Sequence, residues 1–165
     1  MAAQPQPKRI EEILRRYPLA VSVVTVGRGG AENALTVSWA SPVSFDPPHL
    51  MIAVDRLHHS VSFLRSTRNF ALNLLRAEDR RLAGHFARQS MLGEDKLEGL
   101  RTREATTGAA VFDDALAWFD CEMVDALEVG DHVVFIGRVV DADVGREGAP
   151  LLTTDAGVAY GKSRA

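Results

Sequence analysis

The residues best suited to chemistry fall into three groups, and the first is a run of hydroxyls inside an apolar segment. In "NALTVSWASPVSFDPPHLMIAV", residues 33–54, Thr36, Ser38, Ser41 and Ser44 sit between two β-favouring stretches. With the strand period of two, Thr36 and Ser38 share a face, and Ser44 joins them across the bend if the strand stays regular that far. A buried hydroxyl without a partner costs about 1–3 kcal/mol, so such a face has to meet water, backbone or a polar ligand. An exposed strand face and a ligand-facing wall both meet that condition.

The second group is "DRLHHSVSFLRS", where Arg56, His58, His59 and Ser60 precede or open a short helix. Unsatisfied N–H groups and the positive end of a helix dipole favour an anion such as phosphate. A plain helix cap at Ser60 with two solvated histidines accounts for the same residues. The third is His132, which follows "EVGD" at the mouth of a turn opening an apolar strand and by itself reads as turn structure. Cys121 has no basic neighbour to lower its pKa and reads as a small buried residue; Trp39 and Trp118 lie in apolar runs and read as core. The five histidines show neither an i, i+4 pair nor cysteine partners, so no metal site is expected. Rossmann, Walker and nucleophile-elbow motifs are absent, since "GRGG" lies in a hairpin turn.

The elements that must position these groups follow from periodicity. In "PKRIEEILRRYP" the apolar residues Ile10, Ile13, Leu14 and Tyr17 recur at i, i+3, i+4 and i+7, which predicts a short cap helix ended by Pro18. "LAVSVVTVG" and "NALTVSWASPV" form a hairpin about "GRGGAE", and "HLMIAV" is the next strand after an extended turn at Asp46, Pro47 and Pro48. "VSFLRSTR" is a helix, "NFALNLL" a strand, and "AEDRRLAGHFARQS" a helix carrying Leu82, His85 and Phe86 on one side. "LAWFDCEMVDAL", "HVVFIGRVVDADV" and "LLTTDAGVAYG" return to β. Six or seven strands joined mostly by turns, with inserted helices, favour a mainly-β barrel over a parallel sheet.

At 165 residues and 46% hydrophobic, the chain is expected to be one domain, 1–165, with a cap helix in 1–18 and a barrel in 19–161. A net charge of −3 gives no basic field for nucleic acid, and one cysteine makes no internal disulfide. No apolar run approaches the roughly 18 residues a membrane helix needs, and the charged N-terminal stretch is unlike a signal peptide, so a cytoplasmic location is expected.

Taken in order, "NALTVSWASPVSFDPPHLMIAV", "DRLHHSVSFLRSTRNFALNLL", "LAGHFARQS" with "DKLEGL", "LAWFDCEMV" and "GDHVVFIGRVV" resemble the flavin reductase-like family of FMN-binding split-barrel flavoproteins. The resemblance runs from "YPLAVSVVTV" to "APLLTTDAGVAYG". It implies a homodimeric six-stranded Greek-key split barrel with flavin at the subunit interface, FMN or FAD, reduced by NADH or NADPH. It further implies that such a protein supplies reduced flavin to a partner monooxygenase. Asn33, Thr36, Val37, Ser38, Trp39 and Ser44 match the segment that meets the flavin ring and ribityl chain. Arg56, His59 and Ser60 match the phosphate segment, and Phe86 is added to the flavin side. His132, of the "GDH" stretch, and Tyr160 are implied contacts of the nicotinamide, with His132 the candidate for a catalytic role. Trp39 and Ala40 stand where many monooxygenase-partner reductases carry small and aromatic residues, and resemble the other branch of the family; the alternative function is a flavoredoxin-like protein that binds FMN and passes electrons between proteins.

Overall fold

The computed structural model describes residues 7–28, 31–88 and 95–157. A single antiparallel sheet of seven strands dominates, in the spatial order β2-β1-β5-β8-β9-β4-β3. The strands are β1 (Ser22–Arg28), β2 (Ala31–Val37), β3 (Ala40–Phe45), β4 (Pro48–Asp55), β5 (Asn69–Leu74), β8 (Ala117–Val129) and β9 (His132–Val144). A separate ribbon pairs β6 (Thr102–Glu104) with β7 (Ala110–Phe112). Three helices accompany them: α1 (Pro7–Leu14), α2 (Ser60–Thr67) and α3 (Arg80–Ala87). None is long and apolar enough to cross a membrane among the described residues.

The sheet has seven strands where the resemblance implies six, with "NALTVSWASPV" forming two strands rather than one. The break falls at Ser38 and Trp39: β2 pairs with β1 on one edge of the sheet, and β3 pairs with β4 on the other. Three residue steps span at most about 10 Å, so the two edges must approach each other where the chain crosses between them. The sheet therefore curls strongly, and no ladder joins β2 to β3 to close it. The last expected strand is also corrected. Within 151–157 the chain makes only isolated bridges, Ala20 to Leu152 and Arg76 to Pro150, the latter just ahead of it.

The valine run of β1 reflects burial on both faces. Val24 and Val26 pack with Leu50, Ile52, Leu64 and Phe135 inside the curled sheet, where α2 covers the core. Val21 and Val23 face the opposite way, against Leu75, Phe86 and Leu151, which bring α3 and the segment at Leu151 onto the sheet. Two close approaches fix this arrangement. At Gly137 of β9 a Cβ would lie 2.7 Å from Cys121 Cβ and from the fully buried Phe70 ring. Gly137→Ala is therefore expected to lose about 1–3 kcal/mol of stability by overpacking, read as a lowered urea midpoint with unchanged slope.

The second approach is polar. Asp120 is buried and accepts hydrogen bonds from Thr107 N–H and Thr107 Oγ1, both 2.6 Å. Asn69 Nδ2 donates to Thr107 Oγ1 and to Gly27 O, which ties the turn before β7 to β1, β5 and β8. Burial raises the Asp120 carboxyl above its ordinary value; the Thr107 hydrogen bonds oppose the shift and Asp141 adds to it. A raised carboxyl pKa means the fold prefers the protonated form. The contribution is fully present below about pH 3.9, and is lost as pH rises through the folded value. Stability of the wild type relative to Asp120→Asn is thus expected to fall as pH rises from about 4, in paired thermal melts. A difference independent of pH would contradict this account of Asp120.

Candidate functional site

The crossing from β2 to β3 opens onto a cavity of about 780 Å³. One wall is the end of β2 and the residues after it: Leu35, Thr36, Val37, Ser38 and Trp39. Beside Trp39 stand Ala53, Val54 and Asp55 from β4, His58 beyond it, and Asp131 and His132 from the β8–β9 turn. Phe86 and Ala87 of α3, and Ile10, Leu14 and Tyr17 from α1 and its following turn, also line it.

The β4–β9 register explains the facing pair, since it sets Asp55 directly opposite His132. Gly130, at φ +60°, allows the tight turn that delivers Asp131 and His132 to the rim. Asp131 Oδ1 lies 2.7 Å from His132 Nδ1, and the imidazole stacks on Trp39 with centroids 4.6 Å apart and planes 28° from parallel. Trp39, expected in the core, is 42% exposed and faces this space; Trp118 is buried, with the Arg103 guanidinium over its ring.

Of the residues expected at the flavin, Thr36, Val37, Ser38, Trp39 and Phe86 line the cavity, and so does His132. Thr36 Oγ1 already donates to Ala83 O at 2.7 Å, which fastens β2 to α3. Ser44 does not join Thr36 and Ser38: the chain break carries it to the far edge, where it sits opposite His49 beyond a bulge. Asn33 is buried in the β1–β2 pair, opposite Val26, away from the lining. Tyr160 lies outside the described residues.

The start of α2 adjoins the cavity through His58 but does not line it. Its first N–H groups are also engaged, contrary to the expectation of open donors. Ser60 N–H donates to His58 Nδ1, Val61 N–H to His58 O and Ser62 N–H to His59 O. Ser60 Oγ is buried with no partner. Arg56 is exposed and makes no side-chain ion pair among the described residues; its backbone N–H donates to Asp131 O. His58 and His59 stack at 4.4 Å, and burial, then the charge of Lys96, lowers the His59 pKa. At this turn the permanent cation is therefore Arg56. Burial pushes the Cys121 thiol up to about 12, so it stays protonated and unreactive at neutral pH.

Sequence reasoning missed Asp55 and Asp131 in the cavity wall. The carboxylates become site residues only through strand register, which no local pattern reveals.

The model of the flavin reductase like domain matches residues 14–162, nearly the whole chain. The chain belongs to that family. In this flavin reductase-like chain, 134 residues are 32% identical to the reductase subunit of a stachydrine N-demethylase from Rhizobium meliloti, covering 81% of the chain and 57% of the relative. Diflavin flavoprotein A 1 of Synechocystis is 28% identical over 83% of the chain and 24% of its own length. The chain thus spans about half or less of these curated relatives. Among solved structures, an NADH:FAD oxidoreductase of Streptomyces globisporus, in complex with NAD and FAD fragments, superposes with a TM-score of 0.84. It is 26% identical, over 99% of both chains.

Proposed function

We propose that this flavin reductase-like chain binds FMN in the cavity beside Trp39 and His132 and reduces it with NADH or NADPH. The observation that carries the reading is the wall itself. The "TVSW" segment and the "GDH" turn, far apart in the chain, meet across one space of about 780 Å³, within the roughly 300–1,000 Å³ of small-molecule sites. The residues fit such a ligand: apolar Leu35, Val37, Val54 and Phe86 suit a ring system, while Ser38 and the rim carboxylates supply polar contacts. Ser60 Oγ, buried without a partner at the start of α2, and the exposed Arg56 of the preceding turn are the groups we assign to the phosphate. When bound, the flavin supplies the hydride acceptor. The chain's part is to hold the ring against Leu35 and Val37, exclude water with α1, and orient the donor at His132.

A homodimer completes the reading. Phe45, Leu57 and Val129 are 95%, 75% and 56% exposed, and Ile13, Leu14 and Tyr17 of the cap segment are more than half exposed. A second copy would cover these surfaces and the open side of the cavity. Sedimentation of the flavin-loaded protein is expected to give a dimer carrying about one flavin per chain; a loaded monomer would contradict it.

The reading extends to delivery of reduced flavin to a partner oxygenase, for which the similarity to a demethylase reductase subunit is the support. A second reading, a flavoredoxin-like electron carrier, is favoured by the similarity to diflavin flavoproteins. Steady-state oxidation of NADH and NADPH with FMN, FAD and riboflavin separates the two. A reductase turns over with added flavin, whereas a carrier binds FMN and oxidises neither donor.

A further inference from the structure

We infer that Trp39 is a positioning residue for His132: it holds the imidazole so that Nδ1 keeps the proton and Nε2 stays available as an acceptor in the cavity. The inference deepens the proposed function, on which its catalytic consequence rests, but its structural content stands on the free protein.

Two restraints act on the ring, and they differ in kind. Asp131 Oδ1, 2.7 Å from Nδ1, is an acceptor, so the neutral imidazole must carry its proton on Nδ1. Asp131 is the preceding residue in the chain, with its side chain 65% accessible, and its carboxylate selects Nδ1 for the proton only while the ring plane presents Nδ1 to it. The Trp39 stack, at 4.6 Å and 28°, fixes the plane. Trp39 is itself anchored, because Ala53 N–H donates to Trp39 O at 2.8 Å just where the chain crosses between sheet edges. Nε2 has no partner among the described residues, and the His132 side chain is 24% accessible and lines the cavity. An indole at position 39 therefore converts a mobile rim histidine into one with a set tautomer and a set direction.

The test is ¹⁵N NMR of the histidine rings in alkaline solution, where imidazoles are neutral. Wild type is expected to show His132 as the Nδ1–H tautomer, with ring protons shifted by the indole. Trp39→Ala is expected to lose the ring shift and move His132 toward the Nε2–H form usual for free histidine; Trp39→Phe, which keeps a stacking face, restores both. An unchanged tautomer in Trp39→Ala, even with a lower melting temperature, overturns the inference and leaves Trp39 a packing residue. In turnover, Trp39→Ala, His132→Ala and the double variant should lose a similar factor, about tenfold, in kcat more than in KM. Losses that multiply in the double variant would also overturn it. A protein with the expected tautomer but no nicotinamide-driven flavin reduction contradicts the proposed function and leaves the positioning role standing.

Discussion

Arg56→Ala combined with Ser60→Ala is expected to weaken FMN binding about ten- to a hundredfold while riboflavin, which lacks the phosphate, changes little. The size follows from one charge-assisted contact, about 1.5–3 kcal/mol. The α2 N–H groups no longer enter the account, because His58 and His59 already occupy them. What remains is an exposed guanidinium and a buried hydroxyl without a partner, and the two behave differently alone. Removing an unpartnered buried hydroxyl relieves its desolvation cost, so Ser60→Ala should raise the melting temperature of the flavin-free protein even as it weakens FMN. Arg56→Ala should leave that temperature unchanged. Equal weakening of FMN and riboflavin in titrations would move the phosphate elsewhere.

His132→Ala is expected to lower kcat/KM for the reduced nicotinamide about tenfold or more, roughly 1.4 kcal/mol of transition-state stabilisation, with FMN affinity within a few fold of wild type. Hydride transfer needs donor and acceptor atoms about 3–3.5 Å apart, so a side chain that orients the dinucleotide changes the rate without touching either atom. A histidine that only shapes the turn would instead give a less stable protein with unchanged turnover per flavin-loaded chain. Stopped-flow flavin reduction separates these outcomes.

Much of the sheet could be read from the sequence because strands such as "HLMIAV" and "NFALNLL" are short apolar runs bounded by polar or turn-forming residues. The helix at "VSFLRSTR" was also legible, and its extent agrees with α2, Ser60–Thr67. The division of "NALTVSWASPV" was not, since Ser38 and Trp39 continue an alternating pattern and only the curl of the sheet forces the break. That one event explains two misplacements: Trp39 leaves the core for the cavity, and Ser44 leaves the cavity for an edge. The α1 pattern correctly gave a helix with one apolar face, but periodicity could not say that Ile13 and Leu14 stay exposed. The pairing of Asp131, His132 and Trp39 depends on residues some ninety positions apart, beyond the reach of any local signal.

The most direct test is anaerobic mixing of the FMN-loaded protein with NADH and, separately, NADPH, following the visible absorption of oxidised flavin. The account expects at least one donor to bleach the bound flavin far faster than it bleaches free FMN. Flavin that binds but stays oxidised with both donors would contradict the assignment as a nicotinamide-dependent flavin reductase.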